Sequence, residues 1–233
     1  MGSRVEHAAR TDTGRGRSRN EDSVRVEPGA GLFVVADGMG GHAAGHVASA
    51  LAVEEVGDSM LDAGDEGWEA ALQRLAEAVA AAGERIVREA REDPDRQGMG
   101  TTCTALLLRD GRWAVANIGD SRAYRLRDGE LEQVSVDHTA FPGGSALTRA
   151  LGTGGDPSPD MFEGEVEAGD VFLVCSDGLM RTHPDDEIAD AMLRAAGADG
   201  EGADPAAVVD RLVEESVERG APDNVTVAVV AVR

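Results

Sequence analysis

"TTCTALLLRDGRWAVANIGDSRAYRLRDGE", Thr101 to Glu130, is the stretch on which the fold turns. Three apolar runs follow one another with almost nothing between them: Thr101–Leu108, Arg112–Gly119 and Arg122–Asp128. Arg-Asp-Gly at 109–111 joins the first two, and the same tripeptide at 127–129 follows the third. Asp-Gly between strand-like runs signals a tight hairpin, because its two residues tolerate the positive φ that such turns require. Strands joined by hairpins pair antiparallel.

Working outward, Gly31–Asp37 ("GLFVVAD") and the run "DVFLVCSDG" (Asp170–Gly178) read as buried strands, and "NVTVAVVAV" closes the chain as another. A short alternating strand follows Glu21–Asp22 in "RSRNEDSVRV". Helical spacing covers Ala44–Leu61 and Trp68–Arg91, and further helices are expected over Asp186–Ala196 and Pro205–Arg219. Asp204 is placed to cap the last of these, with Pro205 at its first position. Strands and helices come in blocks rather than in alternation, so the fold class is α+β with antiparallel sheets. Neither an internal repeat nor a separating linker interrupts the chain, so residues 1–233 are expected to form one domain.

Composition narrows the partners. The 233 residues carry 44 acids against 22 bases, every base is arginine, and the formal net charge is −22. Such a charge repels nucleic acid and anionic membranes and attracts divalent cations. No run approaches the roughly 18 apolar residues of a membrane span. The N-terminus lacks the apolar core of a signal peptide, and Glu6 stands where a myristoylation signal needs Ser or Thr. Cys103 and Cys175 lie inside apolar runs and are expected as buried reduced thiols. The expectation is a cytoplasmic, monomeric protein.

A repeated grammar points to chemistry. "LFVVAD" ends in Asp37, "AVANIGD" in Asp120 and "VFLVCSD" in Asp177, while "DNVTVAVVAV" begins with Asp223. In antiparallel sheets the end of one strand lies beside the start of the next, so these acids can converge on one edge of the core, with Glu21 and Asp22 as a further pair. Crowded carboxylates cannot all stay ionised uncompensated. They share protons or bind cations, and an all-oxygen set suits Mg²⁺ or Mn²⁺. Each such site alone reads as a plain turn; the four together favour a metal site. "DGMGGHAAG" (Asp37–Gly45) fits neither a P-loop nor a dinucleotide fingerprint.

Taken in order, "GRGRSRNEDS", "VVADGMGGHAAG", "GTTCTALLL", "NIGDSRAYRL", "VDHT", "LTRALG", "VCSDGL" and "APDNVTVAVV" resemble the metal-dependent type 2C (PPM family) protein serine/threonine phosphatases in their compact bacterial form. The resemblance implies a four-layer αββα sandwich of two antiparallel sheets flanked by helices. It implies two catalytic Mn²⁺ or Mg²⁺ ions bridged by Asp37, with the Gly38 carbonyl on one ion and Asp177 and Asp223 on the other. Glu21 and Asp22 would support the first ion, and Asp120 would join Asp177 at a third, weaker site. Arg17 would hold the substrate phosphate, although Arg15 and Arg19 stand close by, and Asn224 would support the Asp223 end. His42 has two readings, a general acid for the leaving oxygen or a loop residue filling space.

The implied activity is hydrolysis of phosphoserine and phosphothreonine in proteins by in-line attack of a metal-bridging hydroxide, on targets of a bacterial Ser/Thr kinase in a signalling role. The alternative is a pseudophosphatase acting as a regulatory binding module. Bacterial members carry a helical flap between the "DHS" and "LTRALG" blocks. Here only Ala140–Ala146 separate them, and the expectation is a more open, less selective site.

Overall fold

The structure, a computed structural model, describes residues 5–39, 44–61, 66–141, 144, 146–197 and 204–233. In chain order, β1 (Val5–Asp12), β2 (Asp22–Glu27) and β3 (Leu32–Met39) precede helices α1 (Gly45–Leu61) and α2 (Trp68–Glu92). Five strands follow: β4 (Gly100–Thr101), β5 (Cys103–Arg109), β6 (Arg112–Ile118), β7 (Arg122–Arg127) and β8 (Glu130–Gln133). Then come β9 (Asp160–Glu165), β10 (Val171–Cys175), the short α3 (Asp177–Met180), α4 (Asp185–Ala196), α5 (Pro205–Glu218) and β11 (Val225–Val232).

Both Asp-Gly hairpins form. Asp110 and Gly111 have φ of 53° and 74°, and Asp128 and Gly129 have 53° and 82°. Two successive left-handed residues match the right-handed twist of the flanking strands. One sheet has the order β1-β11-β10-β7-β8, and the other β2-β3-β5-β6-β9 with β4 paired to β3. Every pairing is antiparallel.

Three apolar layers hold the two sheets. Phe33, Val35, Leu106, Val115, Phe172, Val174, Ala228 and Val230 fill the space between the sheets. The opposite faces of β3, β5 and β6 pack under α1 and α2 through residues such as Val34, Ala48, Leu75 and Val79. Outward residues of β10 and β11 pack under α4 and α5, among them Leu173, Val227, Ile188 and Leu212. β11 is buried at all eight positions because sheet, sheet and helix cover it from both sides. This is the αββα sandwich that the sequence led us to expect. Asp204 caps α5 by accepting from the N–H groups of Ala206 and Ala207. Cys103 and Cys175 are both buried and free.

The sequence reading missed β1, β8 and β9. β1 alternates exposed and half-buried residues, and β9 sits at a sheet edge, so neither presents an apolar run. The strand expected over Thr101–Leu108 is broken at Thr102: β4 pairs with Gly38–Met39 of β3, whereas β5 pairs with Leu32–Val35. The break turns Thr102 towards Asp37.

Candidate metal centre

The site is assembled where the ends of the two sheets meet. On the β2–β3 ladder, Asp22 lies directly opposite Asp37. The Asp37 N–H donates to Thr102 Oγ1 at 2.9 Å, and its carbonyl accepts from Thr101 Oγ1 and the Thr102 N–H, each at 2.9 Å. With its backbone satisfied, Asp37 presents a carboxylate to the cleft. The Gly38 N–H donates to the Glu21 carbonyl at 3.1 Å. A Cβ on Gly38 would lie 2.2 Å from the Gly45 carbonyl oxygen and 2.5 Å from that of Glu21. Glycine is needed there because the start of α1 and the Glu21 strand entry close on its backbone from two sides.

The other sheet supplies the opposite wall. β10 ends at Cys175, and Asp177 opens α3. Asp177 Oδ2 accepts from Arg181, with Nε at 2.9 Å, while its buried Oδ1 has no hydrogen-bond partner among the described residues. Asp22 Oδ2 accepts from Ser176 Oγ at 2.7 Å and Thr226 Oγ1 at 2.6 Å, and its Oδ1 is likewise buried without a partner among the described residues. Asp223 Oδ2 accepts from Arg17 Nη2 at 2.7 Å. Asn224 ties the N-terminal segment to this end: its Nδ2 donates to the Thr13 and Arg19 carbonyls and its Oδ1 accepts from the Glu21 N–H. A Cβ on Gly178 would fall 1.9 Å from the Asn224 carbonyl oxygen, which keeps α3 close against that segment.

Asp120 stands on the turn between β6 and β7, after Gly119 with φ of 111°. The Gly119 N–H donates to His138 Nδ1 at 3.1 Å. The remaining ring nitrogen, Nε2, therefore carries the proton and donates to Asp160 Oδ2 at 3.1 Å. His138 is thus a buried structural strut.

Crowding shows in the acid strengths. Burial, and then the charges of Asp22, Asp177, Asp223 and Asp120, hold the Asp37 carboxyl well above the usual range. Burial pushes Asp22 up to about 6, helped by Asp177 and Asp223 and opposed by its two hydroxyl donors. Asp120 is also raised to about 6, first by burial and then by Asp177. These are carboxylates whose ionised forms lack compensating positive charge. An all-oxygen donor set with two buried, unpartnered carboxylate oxygens fits a hard divalent cation.

Arg17, Glu21, Asp37, Gly38, Asp120, Asp177 and Asp223 all line one cleft of about 690 Å³. Asp22 lies beneath it on the Ser176 and Thr226 hydroxyls, and Asn224 lies behind Asp223. His42 falls outside the described residues. Two arginines near these acids escaped the sequence reading as site residues. Arg149, within the "LTRALG" block, lines the cleft and is held by Asp160 and the Ser158 carbonyl. Arg181 stands one helical turn after Asp177, and that spacing is the signal that could have found it. Where a flap would rise, Thr139 bridges to Leu147 and the Ala140 N–H donates to the Ala146 carbonyl at 3.0 Å.

Residues 13–213 match the family description of protein phosphatase 2C. The chain is 40% identical over 245 residues to the serine/threonine protein phosphatase PstP of Mycobacterium tuberculosis, covering 98% of this chain and 45% of that protein. It therefore spans about half the length of that relative. The serine/threonine phosphatase stp of Listeria monocytogenes is 33% identical over 248 residues, covering 95% of this chain and 93% of its own. The structure superimposes with a TM-score of 0.86, at 38% identity and 98% coverage of both chains, on the catalytic domain of PstP solved in complex with two manganese ions. The agreement in sequence and in architecture has one reading: the chain belongs to the protein phosphatase 2C family.

Proposed function

We propose that this chain is a single-domain, divalent-cation-dependent phosphatase that hydrolyses phosphoserine and phosphothreonine in proteins, taking products of a bacterial serine/threonine kinase as substrates. The observation that carries the proposal is the meeting of Asp37, Asp120, Asp177 and Asp223 with Arg17 in one cleft, over two buried carboxylate oxygens without partners among the described residues. Family membership and the manganese-bearing PstP structure support it.

In this reading Asp37, the Gly38 carbonyl, Asp177 and Asp223 hold Mn²⁺ or Mg²⁺, with Glu21, Asp22 and Asp120 around them. Bound there, the ions would supply positive charge to the phosphate and bring the pKa of a water close to neutrality. Arg17 is half-exposed at the cleft, and its guanidinium matches the geometry of phosphate oxygens. Thr102 and Thr101 fix the backbone of Asp37, so its carboxylate needs no reorganisation when a phosphoryl group arrives. Asn224 keeps Glu21 and Arg17 on the Asp223 side of the cleft by anchoring the segment that carries them. No described helix is long and apolar enough to cross a membrane.

The test is hydrolysis of an aryl phosphate and of a phosphothreonine peptide, with Mn²⁺ and after chelation, by the wild-type protein and by Asp37→Asn. Metal-dependent turnover of both substrates that Asp37→Asn abolishes is expected. Equal turnover in chelated protein would overturn the reading.

A further inference from the structure

A second concavity, of about 570 Å³, runs along the C-terminal half of α2 and shares a wall with the metal cleft. The shared wall is the segment 147–157. Leu147, Thr148, Arg149 and Thr153 face the cleft, Gly155 and Pro157 face the groove, and Ala150 lines both. This wall is firmly tied to the site. Leu151 and Thr101 exchange backbone hydrogen bonds at 2.9 and 3.0 Å, and Thr101 Oγ1 holds the Asp37 carbonyl.

The groove carries two arginines that its own acids do not hold. Its α2 wall repeats every turn, with Glu84, Val87, Arg88, Arg91 and Glu92 on one face. Arg88 and Arg91 are exposed and make no ion pair or side-chain hydrogen bond among the described residues. Neighbouring arginines of the same region are locked: Arg85 on Glu54 and Glu55, and Arg96 on Glu89 and Asp93. Two guanidiniums against two carboxylates leave the groove neutral, on a chain whose net charge is −22. The protein as a whole repels an acidic segment, and the two unpaired guanidiniums offset that repulsion locally. Val87, Ala150 and Pro157 add an apolar floor.

We propose that this groove binds the substrate polypeptide beside its phosphorylated residue, seating an apolar side chain over Ala150 and Pro157 and an adjacent acidic side chain on Arg88 and Arg91. The proposal rests on the phosphatase reading and gives it a preference for acidic flanks on one side of the phosphoresidue.

The experiment uses phosphothreonine peptides of one length and one net charge, with a Leu-Asp pair moved stepwise along both sides of the phosphothreonine. Hydrolysis with Mn²⁺ is measured for wild type, for the double variant Arg88→Glu/Arg91→Glu and for Gly155→Trp. Gly155 has no atom within 4 Å of an added Cβ, so a large side chain can fill the groove without disturbing the fold. In wild type, one band of positions should lower KM roughly five- to tenfold. Both variants should erase that preference while leaving aryl phosphate turnover unchanged. A KM independent of the pair's position, or a preference that survives both variants, would overturn the groove proposal while leaving the phosphatase reading intact. Absence of aryl phosphate turnover in wild type would instead overturn the phosphatase reading, and with it the groove as a substrate site.

Discussion

Asp22 and Asp37 are cross-strand partners on β2 and β3, two acids placed side by side at the end of a sheet and both held above the usual carboxylate range. Like charges directly opposite on adjacent strands destabilise a ladder. The sheet tolerates the pair because Asp22 receives two hydroxyl donors, Ser176 and Thr226, from the other sheet. The pair therefore joins the two sheets and loads the site with unbalanced charge that a cation can relieve.

Removing one member should trade function for stability. Asp37→Asn deletes a proposed cation ligand and also the repulsion with Asp22, Asp177 and Asp223. Phosphatase activity should fall by at least about a hundredfold, as expected when an ion that activates water is lost. The metal-free variant should melt about 2–4 °C above the metal-free wild type, the response to about 1 kcal/mol in a chain of this size. Thermal denaturation of chelated protein decides it, and a lower melting temperature would refute the charge argument.

Asp22 should behave differently when truncated. Asp22→Ala leaves the buried Ser176 and Thr226 hydroxyls without their acceptor, at a cost of about 2–4 kcal/mol. Asp22→Asn keeps an acceptor oxygen and should cost less. Urea denaturation of the two variants, chelated to remove cation effects, gives the order directly.

Cation affinity should rise with pH. Asp22 and Asp120 are each raised to about 6 and Asp37 is also raised, so at pH 5 the site holds protons that a cation must displace. A raised carboxyl binds more protons in the folded than in the unfolded state, so these three contribute stability at low pH that is lost as pH rises, through about 6 for Asp22 and Asp120. Cations oppose that loss. Calorimetric titration with Mn²⁺ in buffers of different ionisation enthalpy should show proton release at pH 6 that shrinks towards pH 8, and tighter binding at the higher pH. A pH-independent affinity would contradict the assignment.

Arg181 should weaken cation binding. Its guanidinium holds Asp177 Oδ2 and stands 4.0 Å from Asp223 Oδ2. Arg181→Ala frees Asp177 and takes a positive charge away from Asp223, which Arg17 still holds, and should tighten Mn²⁺ about two- to fivefold, the scale of a half-exposed ion pair. Arg17→Ala also releases Asp223, but it should in addition raise KM for phosphorylated substrates if Arg17 binds phosphate. Measuring Mn²⁺ affinity and KM for both variants separates the two arginines.

Gly38→Ala should be among the most damaging single-methyl changes in the chain. The new Cβ would overlap the carbonyl oxygens of Gly45 and Glu21, pushing α1 off the sheet. A loss of about 1–3 kcal/mol is expected from overpacking, together with weaker Mn²⁺ binding. Denaturation and calorimetry on the same sample check both.

Much of this protein was legible in one dimension. Asp-Gly at 110–111 and 128–129 dictated hairpins through local backbone sterics, and apolar runs ending in Asp37, Asp120 and Asp177 marked strands that carry acids, since side-chain type and strand period are local properties. What required tertiary structure is everything set by distance across the sheets. β1 became a strand only because β11 offered it a ladder, its own residues being too polar to announce one. Thr102 was an ordinary strand residue until the split between β4 and β5 turned its hydroxyl to the Asp37 N–H. Asp22 was expected beside the first ion, and only the fold shows one of its carboxylate oxygens resting on Ser176 and Thr226, 154 and 204 positions away. Arg149 joined the cleft and Arg181 joined Asp177 from segments whose only common property is where the fold ends them. Local sterics and hydrophobic period write themselves into neighbouring residues, whereas burial, charge coupling and the orphaned oxygens of Asp22 and Asp177 arise only when distant segments close on one another.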